Sequence, residues 1–225
     1  MPRPERQVTY PPEAVPAVYG AISTTPLGED LPLQPASPYG RSKAMVEQII
    51  QDVAAATALK FVIFRYFNAS GADPDGQIGE NHQPETHLIP RACLAILGKE
   101  PELTLYGRDW DTEDGTPVRD YIHVTDLATG HVKAVEYLAK GGDNQILNLG
   151  TGEGFSVGSV IKTLEAVSGH PVPHSFGARR AGDVAYLVAN AGKAYQVLGW
   201  QPEHSSLEEI CGTAWLWQKS VHRAE

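Results

Sequence analysis

Apolar residues along this chain fall into runs whose period changes from segment to segment, and the changes predict the elements. Over residues 39–57, Tyr39, Lys43, Met45, Val46, Ile49, Ile50 and Val53 recur at helical spacing. Lys60-Phe-Val-Ile-Phe-Arg-Tyr-Phe67 is an almost unbroken apolar and aromatic run, which predicts a buried strand of a parallel sheet. A helix is predicted at 87–98, stopped by Gly98, then a short strand at Leu103–Tyr106. Tyr121–Val124 reads as a strand, followed by a helix capped by Thr125 or Asp126 and ending near Leu138. Gln145–Leu149 reads as a strand closed by Gly150-Thr-Gly152. Three more helices are expected: Ser156 to Val167, Asn190 to Gly199, and about Ser206 to Lys219.

Between these segments the chain is polar or rich in proline. Pro2, Pro4, Pro11, Pro12 and Pro16 make residues 1–16 irregular, and Ala17–Gly20 is compatible with the end of a strand. Residues 21–38 carry four further prolines, and Asn68–Gly76 and Asp109–Pro117 read as turns and loop. Strands alternating with helices give an α/β fold.

Composition narrows the function classes. The chain has 225 residues and a formal net charge of −9, which argues against a sequence-independent nucleic-acid binder and means that an anionic ligand needs a local arginine site. No apolar run reaches the roughly 20 residues of a membrane span, so no membrane partner is expected. Cys93 and Cys211 are too few for a disulfide framework and neither sits at a metal-ligand spacing; no metal is expected and the reducing cytosol is the expected compartment. Cys93 and the tryptophans Trp215 and Trp217 are expected to serve packing, in the core or at an interface.

The chemistry concentrates in Tyr39-Gly-Arg-Ser-Lys43. A tyrosine and a lysine four residues apart share a helix face. A phenol is a poor base near neutral pH, and a neighbouring ammonium favours its phenolate. Such a pair can take a proton from an alcohol while a hydride leaves the same carbon. The spacing alone is a weak signal, since a surface tyrosine near a solvated lysine has the same pattern. Its context is stronger: Ser37-Pro38 marks a helix start, and the strand that follows ends in Arg65-Tyr-Phe-Asn68, where open α/β sheets bind ligands. Asn68 there can both donate and accept hydrogen bonds.

Ser37–Lys43, Arg65-Tyr-Phe-Asn68, Thr112-Glu-Asp-Gly-Thr116 and Val118-Arg-Asp-Tyr-Ile-His-Val124 resemble the UDP-glucose 4-epimerase family of extended short-chain dehydrogenase/reductases. Gly150-Thr-Gly152 and Arg179-Arg-Ala-Gly-Asp183 agree, and the likeness runs over about residues 17–220. It implies a Rossmann-like, doubly wound parallel sheet with a smaller mixed α/β substrate domain: an irregular segment at 1–16, C-terminal elements of the NAD-binding domain at 17–82, and a largely sugar-nucleotide domain at 83–225 that returns some elements to the Rossmann sheet. It implies NAD as cofactor, a UDP-hexose as substrate, Tyr39 as acid and base, and Lys43 supporting it and the nicotinamide ribose. Tyr66 would lie against the cofactor. Phe67, Asn68, His87 and Leu88 would meet the substrate, Thr104 and Tyr106 the uracil, and Arg119, Arg180 and Asp183 the diphosphate and ribose. Leu187 matches a position whose bulk governs entry of N-acetylated sugars, and a homodimer through a region including 39–57 is expected. Tyr121 and His123 are expected to serve structure.

The resemblance breaks in two places. No Gly-x-x-Gly-x-x-Gly turn is present, since Gly20, Gly28 and Gly40 are too far apart, and Val15 stands where the family places a catalytic Ser or Thr before Val18-Tyr-Gly20. A fragment or a misassigned gene start is therefore expected, together with exposed apolar faces and association in solution. Two alternatives stay open. One is another sugar-nucleotide epimerase, decarboxylase or dehydratase; dehydratases need an acid/base pair before the tyrosine region, and residues 13–20 offer only Glu13. The other is a non-catalytic UDP-sugar-binding domain, separable by NAD content and turnover.

Overall fold

A computed structural model describes residues 18–20, 26–180 and 182–222. Val15 and the irregular segment 1–16 lie outside them. The described chain is α/β, with nine strands and six helices in its described part.

The first helix, α1 (Pro38–Ala56), opens as its sequence directs: Pro38 holds the first helical position and the Ser37 hydroxyl accepts from the Gly40 amide at 2.9 Å. Strand β1 (Val62–Tyr66) follows, then β2 (Asn68–Ser70), α2 (Leu88–Ile96), β3 (Leu103–Tyr106), β4 (Val118–Arg119), β5 (Tyr121–His123) and α3 (Val124–Ala139). The rest is β6 (Gln145–Leu149), β7 (Phe155–Ser156), α4 (Val157–Ser168), β8 (His174–Gly177), β9 (Tyr186–Leu187), α5 (Gly192–Leu198) and α6 (Leu207–Val221).

The expected parallel pairing is present, but in short sheets. β1 pairs with β6, β2 with β5 and β3 with β8, all parallel, while β4 lies between antiparallel β7 and parallel β9. At Phe67 the chain steps from one pair to the next: its amide donates to Leu149 O at 3.1 Å, and the Asn68 amide donates to Asp120 O at 3.0 Å. Asn68–Ser70, expected as turn, is therefore strand. Val18–Tyr19 form a turn rather than a strand end. Helix α3 is capped by His123, whose ring accepts from the Thr125 amide, and not by Thr125 or Asp126. Asn190 precedes α5 without opening it; its side chain accepts from the Gly192 amide instead.

Three packed clusters hold these pieces. Ile89, Cys93, Leu103, Leu105, Val160, Leu164, Ile210 and Trp215 join α2, β3, α4 and α6. Val18, Tyr19, Leu27, Phe67, Leu187 and Ala189 form a second cluster, and Ile122, Leu147, Leu149 and Trp200 centre a third. Cys93 is in the core as expected, and burial pushes its thiol up to about 12.

Buried carboxylates fix the loops. Asp120 accepts from the Thr151, Gly152 and Ala189 amides and from the Thr151 hydroxyl. Gly150 is required beside it, because a Cβ there would lie 2.5 Å from Ala189 Cβ and 2.7 Å from Asp120 Oδ2. Asp126 likewise accepts from the Glu203 and His204 amides and the Ser205 hydroxyl.

The face that α1 buries is not its apolar one. Its buried residues are Gly40 and Glu47, whereas Met45, Val46, Ile49 and Val53 are exposed. Glu47 takes a two-pronged ion pair from Arg65 on β1 at 2.7 and 2.9 Å, with both side chains buried. Arg65 also donates to the Tyr19 hydroxyl at 2.9 Å, which in turn donates to Asn148 at 2.8 Å. Burial raises the Tyr19 phenol pKa.

Candidate active site

A cavity of about 770 Å³ opens beyond the carboxyl end of β1, inside the roughly 300–1,000 Å³ range of small-molecule sites. Tyr39, Tyr66, Phe67, Asn68, His87, Leu88, Thr104, Tyr106, Arg119, Arg180 and Asp183 all line it. Residues drawn from the start of α1 to the segment before β9 thus meet at one surface.

Tyr39 sits in the first turn of α1, at the cavity edge and 44% exposed. One turn on, the Lys43 ammonium lies 5.1 Å from the centre of its ring. Lys43 is just outside the cavity wall, reaching it through Tyr39. Tyr66, at the end of β1, is also exposed.

The anionic-ligand end is built differently. Arg119 is held by its surroundings: Nη1 donates to Val118 O and Val184 O at 2.8 and 2.9 Å, and Nη2 to Asp183 Oδ1 at 3.4 Å. Burial lowers its pKa, opposed by the Asp183 charge. Arg180 stacks on Tyr106, its guanidinium carbon 3.9 Å from the ring centre. Arg179, next to it, stacks on Trp110 and pairs with Asp109. Arg119 and Asp183 are thus partners as well as wall residues, and one tethers the segment that carries Arg180.

Three expectations change. Asn68 spends one of its two amide hydrogens on Asp120 O at 2.7 Å, which leaves its oxygen and one N–H for a ligand. Leu187 is buried in the cluster that contains Phe67 and is absent from the cavity wall. Trp217, expected only to pack, edges the cavity while its indole donates to Glu80 O at 2.9 Å. Tyr121 and His123, expected to serve structure, are both buried, and Tyr121 also borders the cavity. The His123 ring accepts from the Thr125 amide at one nitrogen and meets the Thr213 hydroxyl at 3.0 Å with the other.

His87 is the N-cap of α2 but makes no side-chain cap bond. Its ring instead meets Glu80, whose hydrogen bond holds the imidazole above its ordinary pKa against the opposing effect of burial. Glu80, His82, Glu85 and His87 gather here, a cluster passed over in the sequence because its spacing, Glu-x-His-x-x-Glu-x-His, contains no cysteine. Among the described residues no helix is long and apolar enough to cross a membrane.

Known proteins resemble this chain in sequence and fold. The chain is 49% identical to a UDP-glucose 4-epimerase of Azospirillum brasilense over 208 residues, 92% of this chain and 60% of that protein. A crystal structure of UDP-glucose 4-epimerase from Brucella ovis with NAD superposes with a TM-score of 0.87 at 48% identity, covering 88% of this chain and 61% of that one. A UDP-glucose 4-epimerase from Stenotrophomonas maltophila, with bound NAD and formylated UDP-arabinopyranose, gives 0.88 at 40% identity, covering 92% and 62%. The chain therefore spans about 60% of the length of the curated relatives it matches. The family model described as "NAD dependent epimerase/dehydratase family" matches residues 16–150, more than half of the chain, and the chain belongs to that family.

Proposed function

We propose that this chain carries the acid–base pair and the sugar-nucleotide cavity of a UDP-glucose 4-epimerase, interconverting UDP-glucose and UDP-galactose. The observation that carries the reading is that Tyr39, with Lys43 beside it, shares one cavity with Asn68, Arg119 and Arg180. The relatives named above support it.

NAD fits one end of this site. Tyr39 and Tyr66 offer exposed rings at the cavity edge, and the Lys43 ammonium is a donor suited to ribose hydroxyls. Bound there, NAD would supply the hydride acceptor, and later the hydride donor, for C4 of the hexose. Tyr39 would take the C4 hydroxyl proton when the C4 hydrogen is lost as hydride and the C–O bond becomes a carbonyl. Lys43 stands beside Tyr39, its ammonium 5.1 Å from the ring centre. Arg119 and Arg180 hold the diphosphate by charge-assisted hydrogen bonds while the 4-keto sugar turns. Tyr39 would then return the proton to the C4 oxygen once the carbonyl is reduced again. Thr104 and Tyr106 form the uracil wall, Phe67 and Asn68 the sugar wall, and Leu187 acts on sugar size through its packing with Phe67. His87 and Leu88 stand beside the pyrophosphate and sugar.

In this reading residues 17–82 belong to the cofactor side and 83–225 mainly to the substrate side. The setting is cytosolic, in keeping with two buried free thiols. A second copy of the chain covers the exposed stripe of α1, as an apolar patch of that kind suits a homodimer.

One observation favours a second reading, a UDP-sugar-binding domain without catalysis: none of the 22 glycines forms a Gly-x-x-Gly-x-x-Gly cradle for a dinucleotide pyrophosphate. Purified chain should be assayed for bound NAD and for UDP-galactose turnover. NAD with turnover that Tyr39→Phe lowers by about 10²–10⁴-fold supports the epimerase. UDP binding without NAD supports the second reading, and turnover that survives Tyr39→Phe overturns the role of Tyr39.

A further inference from the structure

We infer that Glu80, His82, Glu85 and His87 form a closed, four-ligand Zn²⁺ site at the rim of the cavity. One ligand atom from each lies within 4.8 Å of all the others. His82 Nδ1 is 3.0 Å from Glu80 Oε1 and 4.0 Å from Glu85 Oε1, and His87 Nδ1 is 3.7 Å from Glu85 Oε1. Zinc bonds of about 2.0–2.2 Å in a tetrahedron place ligand atoms about 3.3 Å apart, a spacing these three separations bracket, while His87 must draw back from its direct contact with Glu80 to admit the ion.

The Glu80 backbone and the Glu85 carboxylate are already positioned. The Glu80 carbonyl accepts from Trp217 Nε1 and Gln218 Nε2, both at 2.9 Å, which ties this stretch to α6. Gly79 lets the chain press on that indole, since a Cβ there would lie 2.3 Å from Trp217 Cγ. Glu85 is held from the other side: its Oε1 accepts from the Thr86 and His87 amides at 2.6 and 2.9 Å, and its side chain is only 4% exposed. Ligating carboxylates that are themselves hydrogen-bonded are usual in metal sites.

A simple ion pair accounts for less. One imidazole and one carboxylate would suffice for it, yet two of each converge, with the two rings edge to face at 5.5 Å. The donor set also selects the ion. Two imidazoles and two carboxylates suit Zn²⁺, whereas Mg²⁺ and Ca²⁺ favour oxygen ligands in larger number. With neutral imidazoles, two carboxylates balance the charge of one Zn²⁺, including that of the enclosed Glu85. Glu80, His82 and His87 line the cavity, so the ion would lock the wall segment that spans α6 and the start of α2.

The test uses the metal-stripped full chain, titrated with Zn²⁺ in competition with a chromophoric chelator, beside His82→Ala. His82 is 58% exposed in its side chain, so its loss leaves the core intact. One Zn²⁺ per chain is expected, with affinity at least about tenfold weaker in His82→Ala, and a rise in the thermal midpoint with Zn²⁺ that the variant lacks. No stoichiometric binding, or a loss of affinity below tenfold in His82→Ala, overturns the site. Neither readout depends on catalysis.

Discussion

Helices α1 and α6 are both amphipathic, yet they are used in opposite ways. Helix α6 turns Leu207, Ile210, Cys211, Ala214 and Trp215 into the core, against α2 and α4. Helix α1 is longer, 19 residues against 15, and turns Gly40 and Glu47 inward while Met45, Val46, Ile49 and Val53 face outward. Val132 and Val135 of α3 are exposed as well, and Val135 borders a hollow lined by Val62, Phe64 and Tyr66 of β1. An amphipathic period therefore establishes a helix but not the direction of its apolar face. Around α6, where the arginines and the cavity lie, the fold covers its own apolar surface. Around α1 it is anchored by one buried ion pair and leaves an apolar stripe for a partner.

The sharpest break in this contrast is at Glu47. Glu47→Gln leaves Arg65 buried with half a partner, and chemical denaturation should show a loss of about 3–5 kcal/mol. A loss within about 0.5 kcal/mol, the scale of an ordinary surface change, would mean that the ion pair does not anchor α1.

A smaller effect belongs to the α6 side and depends on pH. His123 is buried, which lowers its pKa, and its ring fits the neutral form, accepting from the Thr125 amide and donating to the Thr213 hydroxyl of α6. A histidine whose folded pKa is depressed adds stability above its unfolded value of about 6.5 and loses it as pH falls through the folded value. Between pH 7.5 and 5 the wild type should lose stability more steeply than His123→Gln. His204, held above its ordinary pKa by its hydrogen bond to Glu209, works in the opposite sense, and because its charge also lowers the His123 pKa the comparison is repeated in a His204→Gln background.

The smallest effect on stability separates the two helices most plainly. Ile49→Gln, on the outward stripe of α1, should change unfolding free energy by no more than about 0.5 kcal/mol. It should nevertheless shift the chain from associated species toward monomer in analytical ultracentrifugation. A wild-type chain that is a monodisperse monomer removes the partner from the account.

Much of the site could be read from the sequence because its residues sit at the ends of strongly patterned elements. Tyr39 follows a helix-start signal and Asn68 comes just after an apolar strand, and both reach the cavity. Strands β4, β7 and β9 are two residues each, too short for any period to register. The inward Glu47 was hidden because its partner, Arg65, lies on another element, so no local pattern marks the pair. Leu187 lies in the cluster of Phe67 and not in the cavity wall, a detail the sequence could not show because alignment to a family position gives a neighbourhood and not a packing direction. The Glu80–His87 cluster escaped for a similar reason: its ligands converge only when α6 holds the loop.

The central claim is that this chain by itself presents the sugar-nucleotide cavity. Isothermal titration of UDP into the full chain and into Arg180→Ala tests it directly. The account predicts one saturable site in the wild type and affinity about 10–100-fold weaker in the variant, the scale of a lost charge-assisted hydrogen bond. No saturable UDP binding, or equal affinity in the two proteins, would contradict it.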